Sequence, residues 1–196
     1  DMRRVGDFGK SVTFVLANLN VMNVALIRHT RVNVAPGMCY GRTDVDVAAS
    51  FPEEAERVRT AISEQRFDAV WSSPLQRCRK LAAFCGYPSP FVDERLRELD
   101  FGDWEGQLWR EIRDPRLQEW FDNWLSTKAG GGESFLEQYA RVAEFLDELR
   151  RRPFQKVAVF AHGGTIRAAL VYAGVCNFNQ IFSDMVDYGS VTEIEI

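Results

Sequence analysis

Histidine is nearly missing from this chain: 196 residues contain 2. The 4 cysteines, Cys39, Cys78, Cys85 and Cys176, form no C-x-x-C pair. A zinc site has too few ligands here, and a disulfide framework does not suit scattered cysteines in a chain this long. Reduced, partly buried thiols in a cytoplasmic protein are expected. No apolar run approaches the roughly 20 residues that span a bilayer, so no membrane partner is expected. Excess positive charge is also lacking. The net charge is −4, which removes the broad basic field that nucleic acid would require. An anionic ligand would have to be held by a local group of arginines. There is no internal repeat and no low-complexity tract. With 46% hydrophobic residues, 14 Phe and 5 Trp, the chain can bury one sizeable core.

Residues 1–23 are read as an extension or leftover segment outside the domain. Its short apolar run, Val12 to Leu16, follows Arg3, Arg4 and Lys10, but Asn18 and Asn20 interrupt it before any cleavage pattern of a secreted protein. Residues 24–196 are read as a single domain. Val24–Arg28, Asp68–Ser73 and Lys156–Ala161 are short apolar runs that predict buried strands. Phe91–Asp93 reads as a short strand and Val191–Ile196 as an alternating edge strand. Between them, helices are predicted from Pro52 to Gln65, from Pro74 to Cys85, over Gln107–Trp124 with a break at Pro115, over Glu133–Arg151, and from Gly163 to Gly174. Arg31–Asp46 reads as a loop and Gly130-Gly131-Gly132 as a flexible joint. Alternating strands and helices give an α/β class with a mostly parallel sheet.

Each histidine directly follows a predicted buried strand: His29 after Val24–Arg28, and His162 after the run ending at Ala161. Ligands of open α/β sheets bind beyond the carboxyl ends of the strands. One histidine at a strand end is ordinarily structural; two, with no others in the chain, are harder to explain that way. Arg28 precedes the first. Gly163 and Gly164 follow the second and open a helix, whose free N–H groups favour an anion. Arg77 lies near the end of the third strand, on Ser73-Pro74-Leu75-Gln76-Arg77. Two histidines, two arginines and a helix N-terminus suit a tetrahedral dianion, because the guanidinium fork matches phosphate oxygens.

Four segments then carry a resemblance. Leu26-Ile27-Arg28-His29-Thr30, Ser72-Ser73-Pro74-Leu75-Gln76-Arg77-Cys78, Leu96 to Gly106 and Ala161-His162-Gly163-Gly164 resemble, in order, the motifs of the histidine phosphatase, or phosphoglycerate mutase-like, superfamily. Cys39-Tyr40-Gly41-Arg42-Thr43-Asp44 and the Asp-Phe-Gly-Asp-Trp-Glu-Gly run are most similar to α-ribazole phosphatases of cobalamin synthesis. The chain departs from the family at Thr30, where glycine is usual. The resemblance implies a three-layer α/β/α sandwich of the phosphoglycerate mutase-like kind. It implies a phosphomonoesterase in which His29 accepts the phosphoryl group. Arg28, Arg77, His162, Thr30 and Gly163 would bind the phosphate, and Glu98 would be the general acid, with Asp100 as runner-up.

Asn33, in a shorter loop than the family usually has, and Arg42 are expected at the substrate pocket, with Phe135 and the aromatics of the Gln107–Trp124 region. Trp109, Trp120, Phe121 and Trp124 would either stack on a flat substrate or serve as core. Arginines and an imidazolium would supply the positive charge, so no metal or other cofactor is expected. The partner would be a small phosphorylated metabolite, α-ribazole 5′-phosphate first. A homodimer through an exposed aromatic helix or the last strand is one arrangement left open. The rival readings are a broad-specificity phosphatase, a phosphoglycerate mutase, and a non-catalytic phospholigand-binding module on the same fold.

Overall fold

Residues 21–181 and 186–196 are described by a computed structural model. The segment expected to precede the domain therefore lies, up to residue 20, outside the described residues. The predicted apolar runs form the strands β1 (Asn23–Arg28), β2 (Ala69–Ser72), β3 (Phe91–Val92), β4 (Lys156–Ala161) and β5 (Val191–Glu195). They make one sheet in the order β3-β2-β4-β1-β5. β1 to β4 run parallel and β5 is antiparallel to β1.

The strands at the centre are continuous apolar runs because both of their faces are covered. Leu26, Val157, Val159 and Ala161 point to one side, where α4 (Phe135–Leu149) and α5 (Gly163–Tyr172) pack. Ile27, Ala158 and Phe160 point to the other, against α1 (Phe51–Ile62) and α2 (Gln76–Phe84). The period-2 alternation of side chains thus builds an α/β/α sandwich, as the resemblance implies. α4 begins at a capping box, with Ser134 accepting from the Glu137 N–H and Glu137 reaching back to the Ser134 N–H.

The Gln107–Trp124 region departs from expectation. It holds a short 3-10 turn at Trp109–Glu111 and a seven-residue α3 (Arg116–Asp122). Its large aromatic residues pack on one another in a cap above the strand ends, around Cys39, Leu99, Trp104, Ile112 and Ala129. The glycine triplet is equally no loose joint. Gly130 has φ +55°, and a Cβ there would lie 2.1 Å from the Phe101 carbonyl oxygen. Glycine is present because two loops of the cap meet at that point.

Candidate active site

The sheet order reverses its sense of connection between β1 and β4, and the crevice opens there. Arg28 pairs with Ala161 in the ladder, and the His29 N–H donates to the Ala161 carbonyl at 3.1 Å. The next residue of each strand, His29 and His162, therefore emerges beside the other. Their ring centroids are 5.2 Å apart. His29 Nδ1 lies 2.7 Å from the Thr30 carbonyl oxygen. A carbonyl only accepts, so Nδ1 carries the proton and Nε2 keeps its lone pair. His162 Nε2 lies 2.7 Å from Ser73 Oγ, and Cys78 Sγ lies 3.5 Å from the same nitrogen.

Burial, and then the charge of Arg77, hold both imidazoles well below their ordinary value of 6.5. His162 feels His29 as well. Both rings are therefore neutral at pH 7. The fixed positive charge here therefore comes from the arginines, and the expected imidazolium would need the opposing charge of a bound phosphate. Burial likewise pushes the Cys78 thiol up to about 12, which makes it an inert neighbour of His162.

Arg77 is fully buried. Its two terminal nitrogens donate to the carbonyls of Thr43 (2.9 Å) and Gly41 (2.6 Å). The Tyr40 ring lies 5.5 Å from its guanidinium carbon. Arg28 donates to the Val186 carbonyl, with the Tyr188 ring 4.0 Å from its guanidinium carbon. The two phenols meet at 2.7 Å. Both arginine Nε atoms and Thr30 Oγ1 are buried without a hydrogen-bond partner. Thr30 also takes the place of glycine without strain, since no described non-glycine residue has positive φ.

Glu98 closes the far side. Its Oε2 accepts from the Gly164 N–H at 3.0 Å, at the open end of α5. Its Oε1 accepts from the Leu99 N–H at 3.0 Å and from Gln138 Nε2 at 2.9 Å. A Cβ on residue 164 would lie 2.4 Å from Glu98 Oε1, so a larger residue there would push the carboxylate aside. Arg141 fixes the backbone of this segment, donating to the carbonyls of Arg95 (2.6 Å), Arg97 (2.8 Å) and Glu98 (3.1 Å). A two-pronged ion pair to Glu133, 2.7 and 2.8 Å, holds Arg141 in turn. Asp100, the other candidate acid, accepts from the Gly102 N–H and pairs with Arg42 at 3.7 Å.

A cavity of about 290 Å³ ends on Arg28, His29, Glu98, Gly163 and Gly164. Arg77 and His162 are fully buried behind this floor. Trp109, Trp120, Trp124, Phe101 and Phe135 line the cavity walls. Trp109 and Trp120 stack with centroids 5.8 Å apart and planes 16° from parallel, and the Trp120 indole nitrogen is buried without a hydrogen-bond partner. Phe121 is exposed and off the cavity. Arg42 is also off it, because Asp100 and Glu133 hold its guanidinium. Asn33 is exposed and does not line it.

Several residues of the site escape a reading of the sequence alone. Gln138 lies on the apolar stripe of α4 with Phe135, Val142, Phe145 and Leu149, where a polar residue is out of place. Arg167 lies four residues after Gly163 and reaches back along the helix, as helical side chains do. It lines the cavity, donates to the Ile181 carbonyl at 2.9 Å, and lies 3.0 Å from where a Gly163 Cβ would stand. Tyr188 carries no local signal at all. Among the described residues, no group of three or more His, Cys, Asp or Glu is arranged to hold a metal ion.

Comparison with known proteins agrees with this geometry. The sequence model described as histidine phosphatase superfamily (branch 1) matches residues 24–196. The chain is 28% identical to phosphoserine phosphatase 1 of Hydrogenobacter thermophilus, over 87% of this chain and 86% of that one. Among solved structures, TTHB049 of Thermus thermophilus is 31% identical, with a TM-score of 0.70, covering 88% of this chain and 92% of the other. The α-ribazole phosphatase of Shigella flexneri shares the fold with a TM-score of 0.81 at 23% identity, over 88% and 89% of the two chains. The chain belongs to the histidine phosphatase superfamily, branch 1, and is a phosphoric monoester hydrolase.

Proposed function

We propose that this enzyme hydrolyses phosphomonoesters through a phosphohistidine on His29. The observation that carries the reading is the set of buried donors around the two adjacent histidines. Arg28 Nε, Arg77 Nε and Thr30 Oγ1 are buried beside His29 and His162 without partners, and a phosphoryl group supplies the acceptors they lack. His29 Nε2 forms its bond to phosphorus as the bond to the ester oxygen breaks. The proton of the Glu98 carboxyl goes to the leaving oxygen. In the second step Glu98 takes a proton from water, water oxygen bonds to phosphorus, and the N–P bond breaks. Such proton transfer contributes roughly 100- to 10,000-fold. The guanidiniums, the α5 N-terminus and His162 stabilise the equatorial oxygens, and loss of one such donor costs on the order of 100- to 1000-fold.

The substrate is a phosphomonoester with a flat, largely apolar leaving group. The stacked Trp109 and Trp120 and the rings of Phe101, Trp124 and Phe135 favour this. α-Ribazole 5′-phosphate, a benzimidazole nucleotide, fits that description and is the first candidate. Phosphoserine is the second. The guanidinium of Arg167 in the cavity suits a carboxylate, and the Hydrogenobacter relative bears the name of a phosphoserine phosphatase.

The test is phosphate release from both compounds and from a panel of simple phosphomonoesters, without added metal, alongside His29→Ala. Rapid release from α-ribazole 5′-phosphate, lost in the variant, supports chemistry and substrate together. Preference for phosphoserine keeps His29 and replaces the substrate. Conversion of 3- to 2-phosphoglycerate would make the enzyme a mutase, and equal release by the variant would remove His29 from the reaction.

A further inference from the structure

Among the described residues, Gln138 is the one fully buried side-chain amide of the cavity wall. It stands on the face of α4 that buries Phe135, Val142 and Phe145, where an apolar residue would pack without leaving polar atoms to satisfy. Its Nε2 donates to Glu98 Oε1 at 2.9 Å and faces Thr165 Oγ1 at 3.4 Å. The amide is fixed this way round, because Glu98 Oε1 already accepts from the Leu99 N–H and an amide oxygen turned towards it would set two acceptors against each other. Its Oε1 is buried and has no hydrogen-bond partner. Both amide atoms lie over Gly164, at 2.9 and 3.0 Å from the position a Cβ would take. Gln138, Glu98 and Gly164 all line the cavity. The unused acceptor therefore stands next to the group that handles the leaving oxygen.

We propose that Gln138 is a specificity-determining residue: its Oε1 accepts a hydrogen bond from a hydroxyl or ammonium group carried close to the ester oxygen of the substrate. Its Nε2 at the same time positions Glu98. The inference rests on the reading of the site as a phosphomonoesterase. It moves phosphoserine, whose ammonium sits on the carbon next to the phosphorylated one, ahead of α-ribazole 5′-phosphate, whose neighbouring C4′ carries no hydrogen-bond donor, and it disfavours simple alkyl and aryl phosphates. A site built around a polar contact rejects the analogue that lacks the partner, since the buried acceptor is then left unpaired.

The experiment compares 2-hydroxypropyl phosphate with propyl phosphate, which differ by one hydroxyl. The wild-type enzyme is expected to favour the hydroxyl ester in kcat/KM by about 10-fold. In Gln138→Leu and Gln138→Met both rates fall, because Glu98 loses its partner, but the ratio between the esters drops to near one. A purely structural role for Gln138 would lower both rates and leave the ratio unchanged. Equal kcat/KM for the two esters in the wild type, as expected if water serves Oε1, overturns the proposal, as does an unchanged ratio in the variants. If the variants do not fold, the wild-type ratio decides. Failure of the phosphomonoesterase reading is a separate result, seen as hydrolysis of neither ester. The affinity of each ester for His29→Ala, measured by titration calorimetry, then carries the comparison. About 10-fold tighter binding of the hydroxyl ester supports the acceptor role; equal or absent binding of both overturns it.

Discussion

His29 and His162 are two identical side chains given different tasks by one atom each. The Thr30 carbonyl fixes the tautomer of His29 and leaves Nε2 free, whereas Ser73 Oγ occupies Nε2 of His162. His29→Ala should accordingly lose turnover entirely, while Arg77→Gln should lose about 100- to 1000-fold in kcat, as expected for one oxyanion donor. Steady-state rates on the preferred ester check both. The same burial makes the histidines acid-sensitive. Their folded pKa values lie below the ordinary 6.5, so below that pH the unfolded chain binds more protons than the folded one. Stability is therefore complete above about pH 7 and declines as the pH drops, by up to about 1.4 kcal/mol per pH unit for each histidine. Thermal unfolding between pH 7.5 and 5 in phosphate-free buffer should show Tm falling. His162→Gln should make the decline shallower, and a Tm independent of pH over that range would contradict the neutral pair.

The elements divide into those that sequence pattern makes legible and those it does not. β1, β2 and β4 are readable because strands covered on both faces must be continuous apolar runs, and the chemistry follows directly at their ends. The helix expected over Gln107–Trp124, with its break at Pro115, is found only beyond the break, as α3, for the opposite reason. Its aromatic residues are spaced for a cap and a cavity wall, so their apolarity carries no helical period. Arg28, His29, Arg77, Glu98 and His162 can be named from motifs. Gln138 is visible in principle as a polar residue on an apolar stripe, but Tyr188 comes to His29 from a distant loop that no local pattern announces. Two element-level contacts lend themselves to mutation. Gly164→Ala puts a Cβ 2.4 Å from Glu98 Oε1, which must displace the acid from the α5 N-terminus, and kcat should fall about 100-fold or more. Arg141→Met strips the clamp from three carbonyls and leaves Glu133, which is 8% exposed, without its main partner. Chemical denaturation should register a loss of about 3 kcal/mol.

Across the whole molecule, a net charge of −4 coexists with a binding site built from guanidiniums. The positive charge is local: Arg28, Arg77 and Arg167 converge with the positive end of α5 beneath an aromatic cap. That supply of charge is covalently part of the chain, and turnover should persist in excess EDTA. The covalent intermediate on His29 is the species that defines this chemistry. The direct measurement is rapid-quench mass spectrometry of the Glu98→Gln enzyme mixed with p-nitrophenyl phosphate, whose leaving group needs no proton. The first transfer should then proceed and the hydrolysis step stall. A burst of nitrophenolate with an acid-labile phosphoryl group on the His29 peptide is the predicted result; turnover with no phosphoryl group on the chain, or one found on another residue, would contradict it.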